Sequence, residues 1–381
     1  MKVLHVFTIL STAESFFDGQ FKFLTENGQD IWVVSSSNED DNFTNRNKIT
    51  YRQINITRRI SPFADIKTIR ELVSLIRREK FDAVVGHTPK GAMVAMFAAR
   101  LAGVRIRVYY RHGLIYTTAT GFKRLILKTV ERLTAACASR VVNVSNSLSD
   151  LAVRDHLNSD RKQTVIGAGT CGGIDAVGVF NPSLVDCESI NALRDKLGIA
   201  TDDFVAGFCG RICKEKGIRE LIDGFKIFHK DNPKSKLLLV GGYDARDILP
   251  DEYKSQIDEN PAIITTGRID KSDLPAYYSL MDVFMFPSYR EGFGMCVIEA
   301  AAMGVPALVS RSHGCVDSIR EHITGEYIDI SPEGIARGLA QMTASDNLRA
   351  YSSECRDHVL KNYDFSVMWP LILDLYSRNF Q

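Results

Sequence analysis

Val283-Phe284-Met285-Phe286-Pro287-Ser288-Tyr289-Arg290-Glu291-Gly292-Phe293-Gly294-Met295-Cys296-Val297-Ile298-Glu299 changes character twice. The apolar run Val283–Pro287 predicts a buried strand, and Gly292–Gly294 predicts a turn. The small apolar residues of Cys296–Met303 predict a helix, and Val305–Ser310 reads as the next strand. Strand, glycine-rich turn, helix and strand again is the rhythm of a parallel sheet covered by helices. The rhythm extends upstream through strands at Phe204–Cys209, Lys236–Val240 and Ala262–Thr266, with helices at Gly217–Asp231 and Lys271–Met281.

The first half repeats the pattern. Strands are expected at Lys2–Leu10, Asp30–Ser36, Asp82–Gly86, Arg105–Tyr110 and Val141–Ser145. Helices are expected at Asp18–Glu26, Ser61–Lys80, Pro89–Gly103 and Phe122–Arg140, while Ser11–Phe17 and Asn38–Asn47 read as loops. Two successive α/β blocks predict two doubly wound, Rossmann-like parallel-sheet domains. The first spans 1–185 and the second 190–363, joined near Asp175–Ser189. Ligands of such sheets bind beyond the carboxyl ends of the strands, here in an expected inter-domain cleft.

The composition agrees. The 381 residues are 45% hydrophobic and 24% charged, ordinary for a globular chain. No run approaches the ~20 apolar residues of a membrane span. Val3–Leu10 flows into Ser11-Thr12-Ala13-Glu14 with no cleavage site and reads as a strand, not a signal peptide. None of the eight cysteines forms a CxxC pair, so neither zinc nor a disulfide framework is expected, and reduced thiols in a cytoplasm fit.

The net charge of +1 hides an asymmetry: residues 1–190 carry 25 Lys and Arg against 18 Asp and Glu. Between Arg100 and Arg140, basic residues including Lys123, Arg124, Lys128 and Arg132 alternate with Tyr116, Phe122, Leu125 and Ile126. That mixture suits an anionic membrane surface; the plain alternative is a solvated helix face, and no nucleic-acid motif accompanies it.

In Gly210-Arg211-Ile212-Cys213-Lys214-Glu215-Lys216-Gly217, Arg211 falls at a strand's carboxyl end and Lys216 near a helix N-terminus. The pair forms an anion site suited to a diphosphate, or alternatively surface ion pairs with Glu215 or Glu220. Glu299 follows Glu291 by eight residues, so the two acids can face one cleft. A carboxylate there accepts hydrogen bonds from a sugar diol; the plain alternative is a helix-dipole partner.

Gly-Arg-x4-Lys-Gly followed by Glu291-x7-Glu299 resembles the retaining glycosyltransferases of family 4, which have the GT-B fold. His87-Thr88-Pro89-Lys90 with Arg111-His112-Gly113-Leu114 is similar to the branch that builds bacterial capsule, O-antigen and related surface polysaccharides. Gly172-Gly173-Ile174-Asp175 and Asp18-Gly19-Gln20 complete a likeness that covers nearly the whole chain. The resemblance implies roles. Arg211 and Lys216 would hold the donor diphosphate, Glu299 the ribose, and Glu291 the donor sugar. Phe293, Gly294 and Met295 would offer backbone donors, and Arg268 and Ile269 would flank the base. Gly19 would let the first loop pass near the phosphates. His112 would sit against donor sugar and acceptor, in a positioning role rather than as a general base. His87 would be an acceptor contact, or else a core histidine. Lys90 and Arg111 would meet the acceptor's diphosphate. A last helix over 364–381 would return to the first domain.

The implied enzyme moves a sugar from a nucleotide donor, with UDP expected, to a lipid-diphosphate-linked glycan at the inner face of the membrane. No Asp-x-Asp occurs, so no metal and no cofactor are expected. Same-face attack is preferred over a covalent intermediate on Glu291. A soluble acceptor and a non-catalytic sugar-nucleotide module remain as alternatives.

Overall fold

The computed structural model describes residues 1–59, 61–343 and 347–378. Two compact units divide the chain: Met1–Gly173 with Met368–Gln381, and Ile174–Val367. The first holds β1 (Lys2–Val6), β2 (Asp30–Ser35), β3 (Thr50–Gln53), β4 (Ala83–Gly86), β5 (Ile106–Arg111), β6 (Arg140–Asn143) and β7 (Gln163–Val165). Their order is β3-β2-β1-β4-β5-β6-β7, and every pairing is parallel. The second holds β8 (Phe204–Cys209), β9 (Ser235–Val240), β10 (Ile263–Thr265), β11 (Val283–Phe286), β12 (Ala307–Ser310) and β13 (Gly325–Ile328), in the order β10-β9-β8-β11-β12-β13. These pairings are parallel too. Two Rossmann-like domains of this kind are the GT-B fold that the resemblance implied.

Both sheets reverse strand order at one point, β1 beside β4 and β8 beside β11. Loops leaving the carboxyl ends of the two strands at such a point diverge and leave a crevice for ligand. The sheets are built close to their helices there. A Cβ on Gly86 would come 2.7 Å from Ala92 Cα, so the helix Pro89–Leu101 lies directly on β4 and fixes the turn through His87.

Several elements differ from the sequence reading. The apolar run from Lys2 ends as a strand at Val6 and continues as the helix Leu10–Phe17, not a loop. Leu10, Ala13 and Phe17 are its buried residues, a three-and-four spacing confined to two turns and broken by Ser11, Thr12, Glu14 and Ser15. Asn38–Asn47 contains the helix Asp41–Asn47, capped by Asp40, which accepts from the amides of Asn42 (2.9 Å) and Phe43 (3.1 Å). β3 buries Tyr51 alone, and β7 is three residues long, so neither carries a readable alternation.

The change-over between units comes at Gly173–Ile174 rather than after residue 185. Ile174 exchanges backbone hydrogen bonds with Tyr363 and Phe365, and Arg356 donates to the carbonyls of Ala176 and Phe180, which ties this stretch to the second unit. The last helix, Phe365–Arg378, enters the first unit from Met368. There Trp369 Nε1 donates to the Gly172 carbonyl at 3.1 Å. Residues 379–381, the end of the expected returning helix, lie outside the described residues. Among the described residues no helix is long and apolar enough to cross a membrane.

Candidate active site

In the second unit, the loops leaving β8 and β11 meet at the switch point. Gly217 is left-handed (φ 69°), and a Cβ on it would fall 2.1 Å from the Pro287 carbonyl oxygen. Only glycine allows this approach, which sets Lys216 beside the loop after β11. The Lys216 ammonium pairs with Glu291 and lies 5.5 Å from the Phe286 ring centroid. Burial alone would lower the Lys216 pKa, but Glu291 outweighs it and the pKa is raised. Glu291 stands next to Arg290, which pairs with Glu215; Glu215 lies 3.9 Å from Arg211. Arg211 itself pairs with Asp244 and keeps 48% of its side chain exposed. Asp244 also accepts from the Arg246 amide at 2.8 Å. That bond, and the two guanidiniums, hold its carboxyl far below the usual range. Both expected phosphate-binding cations therefore carry a carboxylate partner.

Glu299 is held from the opposite side. Tyr278 donates to its Oε2 at 2.9 Å. Burial raises its pKa, with Lys271 and Tyr278 opposing. Burial pushes the Cys296 thiol well up, with Lys216 opposing and Glu291 and Glu299 adding to the rise. The helix Met295–Ala302 starts at Gly294, which supplies no side-chain cap. Phe293 is buried. Arg268 is exposed and Ile269 half-buried on the loop after β10. Asp244, Tyr278 and Lys271 were missed by the sequence reading. None carries a local motif signal: Asp244 follows β9, while Lys271 and Tyr278 lie in the crossover between β10 and β11. The ligand atoms of Glu321, His322 and Glu326 lie within 4.8 Å of one another beside β13, but Arg311 and Tyr351 already pair with the two acids.

In the first unit, the expected acceptor residues diverge. Arg111, at the end of β5, is fully buried. Its guanidinium donates to Asn143 (3.0 Å) and Asn158 (2.9 Å) and lies 3.6 Å from Glu131, which also accepts from Tyr109 at 2.8 Å. It has no face left for an acceptor, which corrects the expectation. Its neighbours are carboxylate and amide oxygens arriving from later strands and helices, which the local sequence does not reveal. His87 is buried as well, stacked on Phe7 with centroids 4.2 Å apart. It is a core histidine, not an acceptor contact. Lys90 pairs with Asp65 at 2.5 Å. Gly19 (φ 76°) donates its amide to Asn47 Oδ1 at 2.9 Å and packs on Trp369. His112 is half-buried, with Nε2 3.0 Å from His87 Nδ1 and its own Nδ1 3.3 Å from Cys171 Sγ. Its pKa is lowered to about 4 by burial.

The basic stripe also divides. On the helix Gly121–Cys137, Phe122, Lys123, Arg124 and Leu125 are exposed. Lys128 pairs with Asp155 at 3.2 Å, and Arg132 donates to the carbonyls of Asp155 and His156.

Known proteins resemble the chain along its whole length. The family described as glycosyl transferases group 1 matches residues 189–355, and the glycosyl transferase 4-like domain matches 19–169. The capsular polysaccharide biosynthesis glycosyltransferase CapM of Staphylococcus aureus is 29% identical over 378 residues, covering 99% of this chain and 97% of that one. An Escherichia coli UDP-Gal:alpha-D-GlcNAc-diphosphoundecaprenol alpha-1,3-galactosyltransferase is 26% identical, covering 84% and 81%. Among solved structures, Anabaena HepE in complex with UDP has the same fold, with a TM-score of 0.80 at 17% identity over 99% of each chain.

Proposed function

The chain belongs to the family 4 glycosyltransferases, and from that premise we propose that it moves a sugar from a UDP-linked donor, with retention, to a lipid-diphosphate-linked glycan of a bacterial surface polysaccharide. The observation that carries this reading is the placement of Arg211 and Lys216 on the loop that leaves β8, with Lys216 paired to Glu291 of the loop that leaves β11, at the switch point of the second sheet. When the bond between the anomeric carbon and the phosphate oxygen breaks, negative charge grows on the diphosphate and positive charge on the ring. Fixed donors aimed at the leaving group supply most of the stabilisation. Arg211 and Lys216 meet the diphosphate, together with the backbone of Phe293, Gly294 and Met295. Glu291, already beside Lys216, orients the sugar and balances the ring's charge. A donor phosphate oxygen takes the acceptor proton. Glu299 accepts from the ribose diol, and Arg268 and Ile269 flank the base. The cations do this work without a metal. HepE, crystallised with UDP, supports the choice of nucleotide, and the E. coli relative supports a diphosphate-linked acceptor.

On the first unit, Lys90 is the acceptor-side cation, shared with Asp65, and His112 positions the reacting groups. Phe122, Lys123, Arg124 and Leu125 dock at an anionic bilayer, which places the enzyme peripherally at the inner face of the cell membrane. Neutralising Lys123 and Arg124 together removes about 2 kcal/mol, or about thirtyfold, of binding to anionic vesicles. The internal pairing of Lys128 and Arg132 favours a second reading, a soluble acceptor, under which the intact protein ignores vesicles.

The test is thermal unfolding with UDP, GDP, ADP and TDP, each with and without EDTA. A ligand at about 100 times its Kd adds about 2.7 kcal/mol. Stabilisation by UDP that survives EDTA is expected. Silence toward every nucleotide overturns the reading, and a response lost with EDTA overturns its metal-free part.

A further inference from the structure

A chain of polar groups, all buried except the half-buried His112, runs through the first unit. Tyr376 Oη lies 3.4 Å from His5 Nε2, His5 Nδ1 2.9 Å from His87 Nε2, His87 Nδ1 3.0 Å from His112 Nε2, and His112 Nδ1 3.3 Å from Cys171 Sγ. Phe7, Phe17, Phe21 and Tyr110 pack around the rings: Phe7 stacks on His87, Tyr110 stacks on both His87 and His112, and Phe21 meets His5 edge-on at 4.9 Å. This dry surround disfavours charge. Burial lowers the His5 pKa to about 3 and takes His87 well below its ordinary value. The three imidazoles are neutral at physiological pH.

A neutral imidazole has one N–H and one lone pair. Two adjoining bonds in the chain therefore cannot be chosen independently, and all three rings share one direction. In one arrangement Tyr376 donates to His5, every Nδ1–H donates onward, and His112 Nδ1–H points at sulfur. In the other, the Cys171 thiol donates to His112, every Nε2–H donates back, and His5 donates to the phenol oxygen. Both ends cannot donate at once. A phenol is the stronger donor and a thiol the weaker, so the first arrangement wins.

We propose that Tyr376, His5 and His87 are positioning residues that hold His112 in its Nδ1–H tautomer, so that it presents a neutral N–H donor to the reacting groups. The Nδ1 contact is the weak one, to sulfur, and a substrate oxygen can replace it. A helix that joins the unit some 200 residues after its last strand thus fixes the hydrogen-bonding sense of a group at the carboxyl ends of the strands. The role of His112 toward substrate rests on the proposed function; the tautomer itself does not.

The experiment is histidine 15N NMR on the full chain, in which two-bond ring couplings separate Nδ1–H from Nε2–H forms. Signals are assigned by single replacement of each chain histidine. The wild type is expected to show Nδ1–H at His5, His87 and His112. Tyr376→Phe removes the strong donor and should turn all three to Nε2–H together, whereas Cys171→Ala should leave all three as they were. Unchanged tautomers in folded Tyr376→Phe, or rings that change singly, overturn the proposal. With turnover measured, Tyr376→Phe should lower kcat about five- to tenfold with unaltered nucleotide affinity. A flipped tautomer with unchanged kcat would overturn the assignment of the donor to the reaction while leaving the chain intact. Failure of UDP to bind the wild type would instead count against the proposed function alone.

Discussion

Two arginines stand at comparable points of the two sheets, Arg111 at the end of β5 and Arg211 just beyond β8. Both are expected from sequence to meet a phosphate. Arg111 is fully buried, bound to Asn143 and Asn158 and facing Glu131. Arg211 leaves 48% of its side chain exposed, paired with Asp244 and 3.9 Å from Glu215. Position at a strand's carboxyl end thus brings a cation near a site without making it a ligand. What decides is whether other strands supply enough oxygens to enclose it. The histidines extend the contrast: the first unit keeps its polar chain neutral, whereas the second keeps paired charges within reach of solvent.

The comparison is most sharply broken by exchanging what the two arginines do. Arg111→Met strands Glu131 in the interior and should destabilise the protein by about 3–5 kcal/mol in denaturant unfolding. UDP affinity of the folded fraction should be unchanged, and a stable Arg111→Met protein that loses UDP binding would reverse the assignment. Arg211→Ala should do the opposite. Its half-exposed pair contributes at most about 1 kcal/mol to stability, while kcat should fall about 10²–10³-fold. An Arg211→Ala enzyme with wild-type turnover would remove the leaving-group role.

Two smaller effects separate the units by pH. Glu299 binds a diol as the carboxylate, and its pKa is raised by burial, so UDP affinity should decline as the pH falls into the mildly acidic range. Glu299→Gln should weaken UDP by about 1.5–3 kcal/mol at neutral pH, and titration calorimetry should show that decline flattened. In the first unit the sign concerns stability. The folded pKa values of His5 and His112, about 3 and about 4, lie below the unfolded value near 6.5. The unfolded chain therefore takes up protons first. Stability is full above pH 6.5 and falls below it, by about 1.4 kcal/mol per pH unit for each histidine, until the folded pKa is reached. Unfolding of His5→Gln followed over pH 4 to 7 should show a slope reduced by one proton.

Much of the fold was legible because buried parallel strands are short apolar runs with glycine or proline at their ends; Phe204–Cys209 was read to the residue. The donor loops were legible because their charges and glycines are local in sequence. Lys216 and Gly217 adjoin, and Glu291 and Glu299 are eight apart on one turn and helix. The helix Leu10–Phe17 is illegible because it is only eight residues long and begins directly after an apolar run, so its three buried residues give too short a period to read. The histidine chain was invisible as a unit, since residues 5, 87, 112, 171 and 376 share no spacing.

The sequence by itself determined the two α/β domains, the family resemblance, and the cations and acids of the donor loops. All of these depend on neighbours within about a dozen residues. Only the tertiary structure decided that Arg111 and His87 are interior groups, that Asp244 and Glu291 pair with the two cations, and that Tyr376 reaches His112 through two other histidines. Burial and hydrogen-bond direction are properties of what surrounds a side chain. In a parallel sheet, those surroundings are assembled from strands far apart along the chain.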